Sequence, residues 1–294
     1  MRLALLVVIW AVSWPAIKIG VATLPPLWYA FWRYLIAALC LFALVGARRE
    51  ISFPPRSDWP LVIVSGVLQM AAYSALTGIA LTVLPPGRAS VLAYSTPLWV
   101  VPLAAWRLQE CISRWSLIGM SIGIGGICVI AAPSIHSVAA AQIHAYTLLM
   151  GAAGVWAISI VFVRSHRFTA TPLMLAPWQM LVATVLLFPL AIFFEGVLPP
   201  IGVRAAISLS YVGPVATAFA YWSMVEAGRH LRANTISMAL LSVPAVGILI
   251  SALFLGERVD PPLIAGVLLI VVGIWLATNP RGSDESVVPH GKGR

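Results

Sequence analysis

The side chains of this sequence that could bind a small molecule are hydroxyls and aromatic rings set at helical spacing inside apolar stretches. WAVSWPAIK at 10–18 and WAISIVFVR at 156–164 each place a Ser three residues after a Trp. Residues three or four apart lie on one side of a helix, so each pair presents an aromatic surface beside a hydrogen-bonding group. This pattern suits non-covalent binding of a molecule that has an apolar part and a polar part.

Covalent and metal chemistry have no matching pattern. The sequence contains no His-Glu-x-x-His, Gly-x-Ser-x-Gly or Gly-x-x-x-x-Gly-Lys-Ser/Thr motif. Cys40, Cys111 and Cys128 show no metal-binding or redox spacing, so we interpret them as small buried hydrophobic residues. We therefore expect no metal and no cofactor.

The composition places the candidate residues in a membrane. Hydrophobic residues make up 61% and charged residues 9% of the 294 residues. Soluble domains carry about 25% charged residues, and a bilayer core needs roughly 20 apolar residues per helix. Windows of that length predict ten transmembrane helices, at 3–21, 27–47, 60–81, 89–106, 115–132, 145–163, 173–194, 205–225, 233–255 and 262–277.

The basic residues indicate orientation rather than nucleic-acid binding. Thirteen Lys and Arg lie in links on the side of the two termini, and only Arg88, Arg204 and Arg258 lie in links on the other side. Cytoplasmic loops carry the excess of Lys and Arg. The sequence thus predicts a multi-pass protein of the bacterial inner membrane with both termini in the cytoplasm, and the net charge of +9 implies no nucleic-acid partner.

The second half of the chain repeats the first, in order, at an offset of 146 or 147 residues. Each repeat holds five helices, and because five is odd the two repeats must cross the membrane in opposite directions. We predict inverted repeats at 1–132 and 145–278, with a disordered cytoplasmic tail at 279–294. The matching pairs are Trp10 with Trp156, Ser13 with Ser159, Lys18 with Arg164, Pro26 with Pro172, Trp32 with Trp178, Pro97 with Pro244, Glu110 with Glu257, Gly119 with Gly266, and Gly126 with Gly273.

This arrangement resembles the EamA-type members of the drug/metabolite transporter superfamily. The resemblance is carried by WAVSWPAIK with Arg33, and by STPLWVVPLAAWRLQE and SVPAVGILISALFLGE, each followed by a Gly-bearing helix. It implies ten helices, no ATP-hydrolysing domain and export of amino acids or other metabolites. Within the family the sequence is most similar to the aromatic amino acid exporters. The four-helix multidrug relatives rely on a Glu in the first helix, where this chain has Ser13 and Trp14.

The acidic residues bear on energy coupling. All nine Asp and Glu lie in links, just past helix ends or in the tail. Since intramembrane carboxylates mark proton and ion relays, this placement favours facilitated diffusion over proton coupling, and a sodium site built from backbone carbonyls stays open. Glu110 and Glu257 directly precede helices five and ten, where we expect each to stabilise a helix N-terminus and to pair with Arg114 or Arg258.

Lys18 and Arg33 are the only cations inside the predicted spans, and both lie toward the outer end. One interpretation is that they snorkel to the headgroups beside the aromatic residues around Arg33. The alternative is that one or both attract a substrate carboxylate at the outer mouth.

We predict a central cavity walled by helices one, three, four, six, eight and nine. A single Ser or Thr in a membrane helix usually bonds to a neighbouring helix, and a single Trp usually faces lipid, but here they match between the repeats. The candidate hinges are Pro97 and Pro244. The candidate substrate-binding residues are Ser13, Trp14, Gln69, Tyr73, Thr77, Tyr94, Trp156, Ser159, Tyr221 and Ser242.

Together these features predict a secondary transporter that exports amino acids or related metabolites by alternating access, with aromatic or other apolar amino acids favoured. The alternatives are a proton- or sodium-coupled drug or metabolite exporter and, from another class, an intramembrane enzyme. The predicted partners are a small-molecule substrate and the lipid bilayer. A monomer is favoured, although the small-residue face at Gly119 and Gly123 permits a homodimer.

Overall fold

The protein is an all-helical, ten-span membrane protein. The computed structural model describes residues 2–109, 112–136, 140–167, 169–224 and 233–278, which leaves Glu110, Glu226 and the tail at 279–294 outside the described part. Within these ranges eight helices are long and apolar enough to cross a membrane, and Ser242–Leu255 and Pro261–Ala277 are shorter apolar helices. The helices are α1 (Arg2–Val21), α2 (Pro26–Ala47), α3 (Trp59–Val83), α4 (Pro86–Leu108), α5 (Arg114–His136), α6 (Ala140–Ser165), α7 (Pro172–Glu195), α8 (Val203–Met224), α9 (Ala233–Leu255) and α10 (Pro261–Thr278).

Prolines mark where several of these helices begin. Pro26 opens α2, Pro86 opens α4 and Pro172 opens α7, each at the first helical position or next to it. Proline is tolerated there because its missing N–H has no partner within the helix and its φ angle is already helical. Pro26 and Pro172 are equivalent in the two repeats, so both second helices start in the same way.

Consecutive helices alternate in direction, so the links fall on two faces. We call the face that holds the links at 48–58 and 166–171 the near face, and the face that holds the links at 22–25, 84–85, 196–202 and 256–260 the far face. The two repeats meet along several helix pairs. The closest pairs include α2 with α7, α1 with α9, α3 with α6, and α5 with α10.

The backbone departs from α-helical geometry at the same place in both repeats. Ser65–Ala72 in α3 and Val212–Phe219 in α8 are π-helical, and they begin 147 residues apart. Each contains a glycine that lets a helix of the other repeat approach. A Cβ on Gly66 would lie 2.7 Å from the backbone O of Gln179 in α7. A Cβ on Gly213 would lie 2.7 Å from Ile36 in α2.

The glycines of α5 and α10 pack against each other within one chain. A Cβ on Gly119 would lie 2.5 Å from the O of Gly273, and a Cβ on Gly126 would lie 2.7 Å from the O of Gly266. Small residues at such crossings let two helix backbones come into contact. The small-residue face that permitted a homodimer is therefore used, along these glycines, inside the monomer.

The two candidate hinges have different surroundings. α4 is interrupted at Tyr94 and Ser95, and Pro97 lies in the first turn of its second part, Thr96–Leu108. Proline suits that first turn because an N–H there has no helical acceptor. Pro244 instead lies inside α9, which is continuous from Ala233 to Leu255. The break in α4 thus has no counterpart in α9.

Carboxylates join the two repeats at helix N-termini. On the far face, Glu195 at the end of α7 accepts hydrogen bonds from the N–H groups of Leu27 (2.9 Å) and Trp28 (3.0 Å), which begin α2. On the near face, Asp58 accepts from the N–H groups of Thr169 (3.1 Å) and Ala170 (2.8 Å), just before α7. Unpaired N–H groups and the helix dipole favour a negative charge at such positions.

Glu257 makes a third contact of this kind. It was predicted to stabilise a helix N-terminus, and it does so in the other repeat and not at α10, which follows it. Its carboxylate accepts from the N–H groups of Gly87 (2.8 Å) and Arg88 (3.1 Å), at the start of α4. Asp260 caps α10 through the N–H of Leu263 and pairs with the Arg88 guanidinium.

Burial and hydrogen bonding act oppositely on two of these carboxylates. Burial disfavours ionisation of Asp58, but hydrogen bonds from the Ala170 and Thr169 backbone outweigh it and lower the pKa of the carboxyl. Burial raises the pKa of Glu257, and the N–H groups of Gly87 and Arg88 offset this only in part.

Candidate functional site

A cavity of about 220 Å³ lies between the two repeats, and its lining comes from both. An apolar cavity of about 150 Å³ is enough to bind benzene, so this volume suits a small aromatic molecule. The lining residues are Trp10, Ser13, Trp14 and Ile17 of α1; Arg33 and Tyr34 of α2; Gln69, Met70, Tyr73, Thr77 and Leu81 of α3; Tyr94 of α4; Trp156 of α6; Met180 of α7; Ala216, Thr217, Tyr221 and Met224 of α8; and Leu240 of α9.

Four aromatic rings form one wall of the cavity. The ring of Trp156 meets that of Tyr73 at a centroid distance of 5.1 Å and that of Tyr94 at 5.8 Å, edge to face in both cases. Trp14 continues the wall, with its ring 6.4 Å from that of Tyr94. Aromatic rings prefer such tilted contacts, which fix the wall in place before any ligand arrives. The break in α4 positions Tyr94, which is the C-cap of the first part of that helix, Pro86–Ala93.

The π-helical segments supply the polar part of the cavity. In α8 the hydroxyl of Thr217 donates to the O of Val212 (2.7 Å), five residues earlier, and the O of Ala216 accepts from the Trp10 indole N–H (3.0 Å). In α3 the amide O of Gln69 accepts from the hydroxyl of Ser159 (3.3 Å). π-helical turns leave backbone groups without their usual partners, and side chains satisfy some of them here.

Arg33 directs its positive charge into this polar part. Its Nε–H donates to the Thr217 hydroxyl at 2.8 Å, and its guanidinium carbon lies 5.4 Å from the centre of the Tyr34 ring. Arg33 thus reaches across from α2 to the Thr217 hydroxyl of α8. Among the residues that the structure describes, it is the only charged side chain that lines the cavity.

Lys18 occupies a different position, at the far end of α3. Its ammonium donates to the carbonyl oxygens of Leu81 (2.6 Å) and Thr82 (3.2 Å), in the last turn of that helix. The last carbonyls of a helix lack intrahelical partners and carry the negative end of its dipole. The contact is therefore a helix C-cap, and Lys18 is not among the residues that line the cavity.

Comparison with known proteins identifies the type of molecule that this cavity belongs to. The sequence profile of the EamA-like transporter family matches residues 2–132 and 143–279, so it covers both repeats. The chain belongs to the EamA-like transporter family. The expected transporter class, as opposed to an enzyme, is confirmed by this membership.

Two relatives illustrate the range of this family. The chain is 30% identical to a protein of Streptantibioticus cattleyicolor named a probable terminal-alkyne amino-acid exporter, over 93% of this chain and 91% of the relative. It is 26% identical to a protein of Escherichia coli named a probable amino-acid metabolite efflux pump, over 92% of each chain. One crystal structure at 21% identity superposes with a TM-score of 0.63 over 94% of this chain and 95% of the other, which shows the same fold.

The cavity brings together eight of the ten predicted binding residues. The two exceptions are Ser159, which is fully buried behind Gln69, and Ser242, which lies at an exposed position of α9. Ser13 lines the cavity but donates to the O of Trp10 in its own helix (2.7 Å). The eight lining residues are Ser13, Trp14, Gln69, Tyr73, Thr77, Tyr94, Trp156 and Tyr221.

Thr217 is not one of the ten candidate substrate-binding residues, although it holds the only charged side chain of the described lining. The sequence signal was present, since Thr217 follows Pro214 by three residues in a helix equivalent to α3. The spacing could not show that α2 packs against α8, which brings Arg33, 184 positions away in the sequence, to Thr217. Helical periodicity identifies the residues that share a face but not the helix that packs on it.

Proposed function

We propose that this EamA-like transporter exports amino acids with aromatic or other apolar side chains. The observation that carries the proposal is that Arg33, a cation without a described carboxylate partner, lines the same cavity as the rings of Tyr73, Tyr94 and Trp156. A cation and an aromatic wall in one cavity complement the carboxylate and the side chain of such a substrate. The names of the two relatives agree with amino-acid export.

The substrate's carboxylate binds the terminal nitrogens of Arg33, whose fork geometry matches two carboxylate oxygens. Its side chain lies against Trp156 and Tyr73. The Nε contact to Thr217 holds the guanidinium in position before the substrate enters, which reduces the entropy lost on binding.

Transport proceeds by alternating access in the bacterial inner membrane, with both termini in the cytoplasm. The near face is then cytoplasmic and the far face external. The repeated packing at Gly66 and Gly213 supports two arrangements of similar energy, since an inverted repeat can exchange the roles of its halves. Pro97 and Pro244 are the proposed hinges, and Lys18 and Arg33 remain the proposed cations toward the external side.

The flux is facilitated diffusion along the substrate gradient. Arg33 is the only charged residue in the described lining of the cavity. The carboxylates of Asp58, Glu195 and Glu257 are bound to backbone N–H groups at helix N-termini. Proton or sodium coupling through such a cavity commonly uses an intramembrane acid. A coupled exporter remains the alternative that the experiment must separate.

The test is counterflow of labelled phenylalanine and tryptophan into liposomes that contain the purified protein, with no ion gradient imposed. We expect the label to accumulate transiently when the same unlabelled amino acid is inside. If accumulation occurs only with an imposed proton or sodium gradient, the flux is coupled. If neither condition moves either amino acid, the proposed substrate class is wrong.

Two variants test the cavity itself. Trp156→Ala and Tyr73→Ala each remove one ring of the wall, so we expect about tenfold weaker apparent affinity for phenylalanine from the lost aromatic contact. Trp275→Ala is the matched control, because Trp275 is 45% exposed on the outside of α10. If both cavity variants keep the affinity of the unmodified protein, the cavity is not the substrate site.

A further inference from the structure

We infer that the cavity also binds aromatic monocarboxylates that carry no ammonium group, such as arylalkanoates, at least as well as it binds zwitterionic amino acids. This inference rests on the proposed role of the cavity as the substrate site. It extends the substrate class from amino acids to organic anions that share the ring and the carboxylate.

The first support is the charge of the lining. Arg33 is the one charged side chain among the described residues that line the cavity, and no Asp or Glu stands among them. A zwitterion brings a positive group that this surface does not complement, whereas a monoanion brings only the group that Arg33 attracts. Placing an uncompensated ammonium beside a guanidinium costs electrostatic energy at low dielectric.

Of the five carboxylates in the described chain, four are bound to other groups, and the fifth, Glu50, is exposed in the link between α2 and α3 on the near face. Glu195 is bound to the start of α2, Glu257 to the start of α4, and Asp58 to the backbone before α7. Asp260 pairs with Arg88 on the far face. Each bound carboxylate therefore has its partner at a membrane face, away from the aromatic wall.

The hydrogen-bond inventory of the lining points the same way. An ammonium carries three donors and needs acceptors. The O of Ala216 already accepts from Trp10, and the amide O of Gln69 already accepts from Ser159. Each of these oxygens has one lone pair left for an ammonium, and neither carries the negative charge that would offset the loss of its hydration.

Donors, by contrast, are available for an anion. The guanidinium of Arg33 has five N–H groups, and its Nε–H is held by Thr217. No described side chain accepts from the two terminal nitrogens, which carry the other four. Two parallel bonds from these nitrogens to a carboxylate are the strongest recognition that Arg offers.

The experiment is isothermal titration of the purified full-length protein with three ligands of one skeleton: phenylalanine, 3-phenylpropionate, which lacks the ammonium, and phenethylamine, which lacks the carboxylate. We expect 3-phenylpropionate to bind as tightly as phenylalanine, within about threefold, and phenethylamine to bind at least about tenfold more weakly. An affinity for 3-phenylpropionate that falls more than about threefold below that of phenylalanine overturns the inference.

Variants of Arg33 tie the result to this residue. We expect Arg33→Gln to weaken 3-phenylpropionate binding by about tenfold or more and Arg33→Lys to restore part of it. Arg204→Gln removes the same charge at an exposed position of α8 and should leave the affinity unchanged. Unchanged binding in Arg33→Gln contradicts the inference.

The two proposals fail in distinguishable ways. If phenylalanine binds and moves in counterflow but 3-phenylpropionate binds weakly, the inference fails and the amino-acid function stands. If 3-phenylpropionate binds and depends on Arg33 while neither amino acid moves, the amino-acid function fails and the inference stands. If none of the three ligands binds, both are wrong.

Discussion

The two repeats share a π-helical segment with a close glycine contact and differ in the side chains that they direct into the cavity. Gly66 packs on α7 against Gln179 and Val182, while Gly213 packs on α2 against Arg33 and Ile36. The positions of Gln179 and Val182 are those of Arg33 and Ile36 moved by 146 residues. The same contact is thus made twice, with the roles of the repeats exchanged.

The residues that line the cavity differ from their equivalents in the other repeat. The cation Arg33 corresponds to neutral Gln179, Tyr94 corresponds to Leu241 and Trp14 to Ile160. Gln179 is not among the residues that line the cavity. It is nearly fully buried and accepts a hydrogen bond from the Tyr221 hydroxyl (2.8 Å). In the proposed mechanism, symmetric helix packing provides two arrangements of similar energy, and the asymmetric lining gives the substrate one orientation.

The largest effect is expected where the lining differs most. Arg33→Gln gives the first repeat the residue of the second and removes a charge-assisted hydrogen-bonding group. Such groups contribute about 1.5–3 kcal/mol, so phenylalanine affinity in counterflow should fall by about 10- to 150-fold. Arg204→Gln, at an exposed position, is the control. An affinity as high as that of the unmodified protein would make the charge difference between the repeats irrelevant to binding.

The shared packing predicts equal effects in the two repeats. Gly66→Ala and Gly213→Ala each place a Cβ less than 3 Å from an atom of the other repeat. Overpacking of this kind costs about 1–3 kcal/mol, so both variants should lower the midpoint of thermal unfolding to a similar extent. Gly154→Ala is the matched control, because a Cβ there meets nothing within 4 Å. A large loss in one variant alone would show that the two contacts are not equivalent.

The break in α4 predicts unequal effects for the two hinges. Pro97→Ala restores an N–H where α4 restarts after Tyr94 and Ser95, which lets the helix become continuous. Pro244→Ala changes α9, which is already continuous. We expect turnover in counterflow to fall several-fold in Pro97→Ala and less in Pro244→Ala. Unchanged turnover in both variants would remove the basis for a hinge at either proline.

The smallest effects on stability are expected at the two faces, where the contributions of Asp58 and Glu257 should depend on pH in opposite ways. The lowered pKa of Asp58 gives stability that is present above its unfolded-state value of about 4 and is lost as the pH falls through the folded-state value. The raised pKa of Glu257 gives stability that is present below about pH 4 and is lost as the pH rises through the folded-state value.

Thermal unfolding of the purified variants measures this difference. At neutral pH we expect Asp58→Asn to lower the unfolding midpoint more than Glu257→Gln does. Acidification should erase the gap between Asp58→Asn and the unmodified protein. If the two variants respond to pH in the same way, the carboxylate contacts at the near and far faces are not chemically different.

Hydropathy, repeat spacing and helical periodicity were enough to predict the spans, the inversion and eight of the binding-site candidates that line the cavity. The bilayer imposes a fixed length of apolar helix, so the ten helices can be read from the sequence. Tyr73 and Thr77, for example, must lie on the same face of a helix because four residues complete about one turn.

Only the tertiary structure decided which helix each of these faces meets. The sequence could not show that Glu257 binds the start of α4, that Lys18 caps α3 or that Arg33 reaches Thr217. These contacts join residues 63 to 184 positions apart. Local spacing fixes the direction of a side chain on its own helix, but the partner depends on how the helices pack, and that is set by the summed contacts of both repeats.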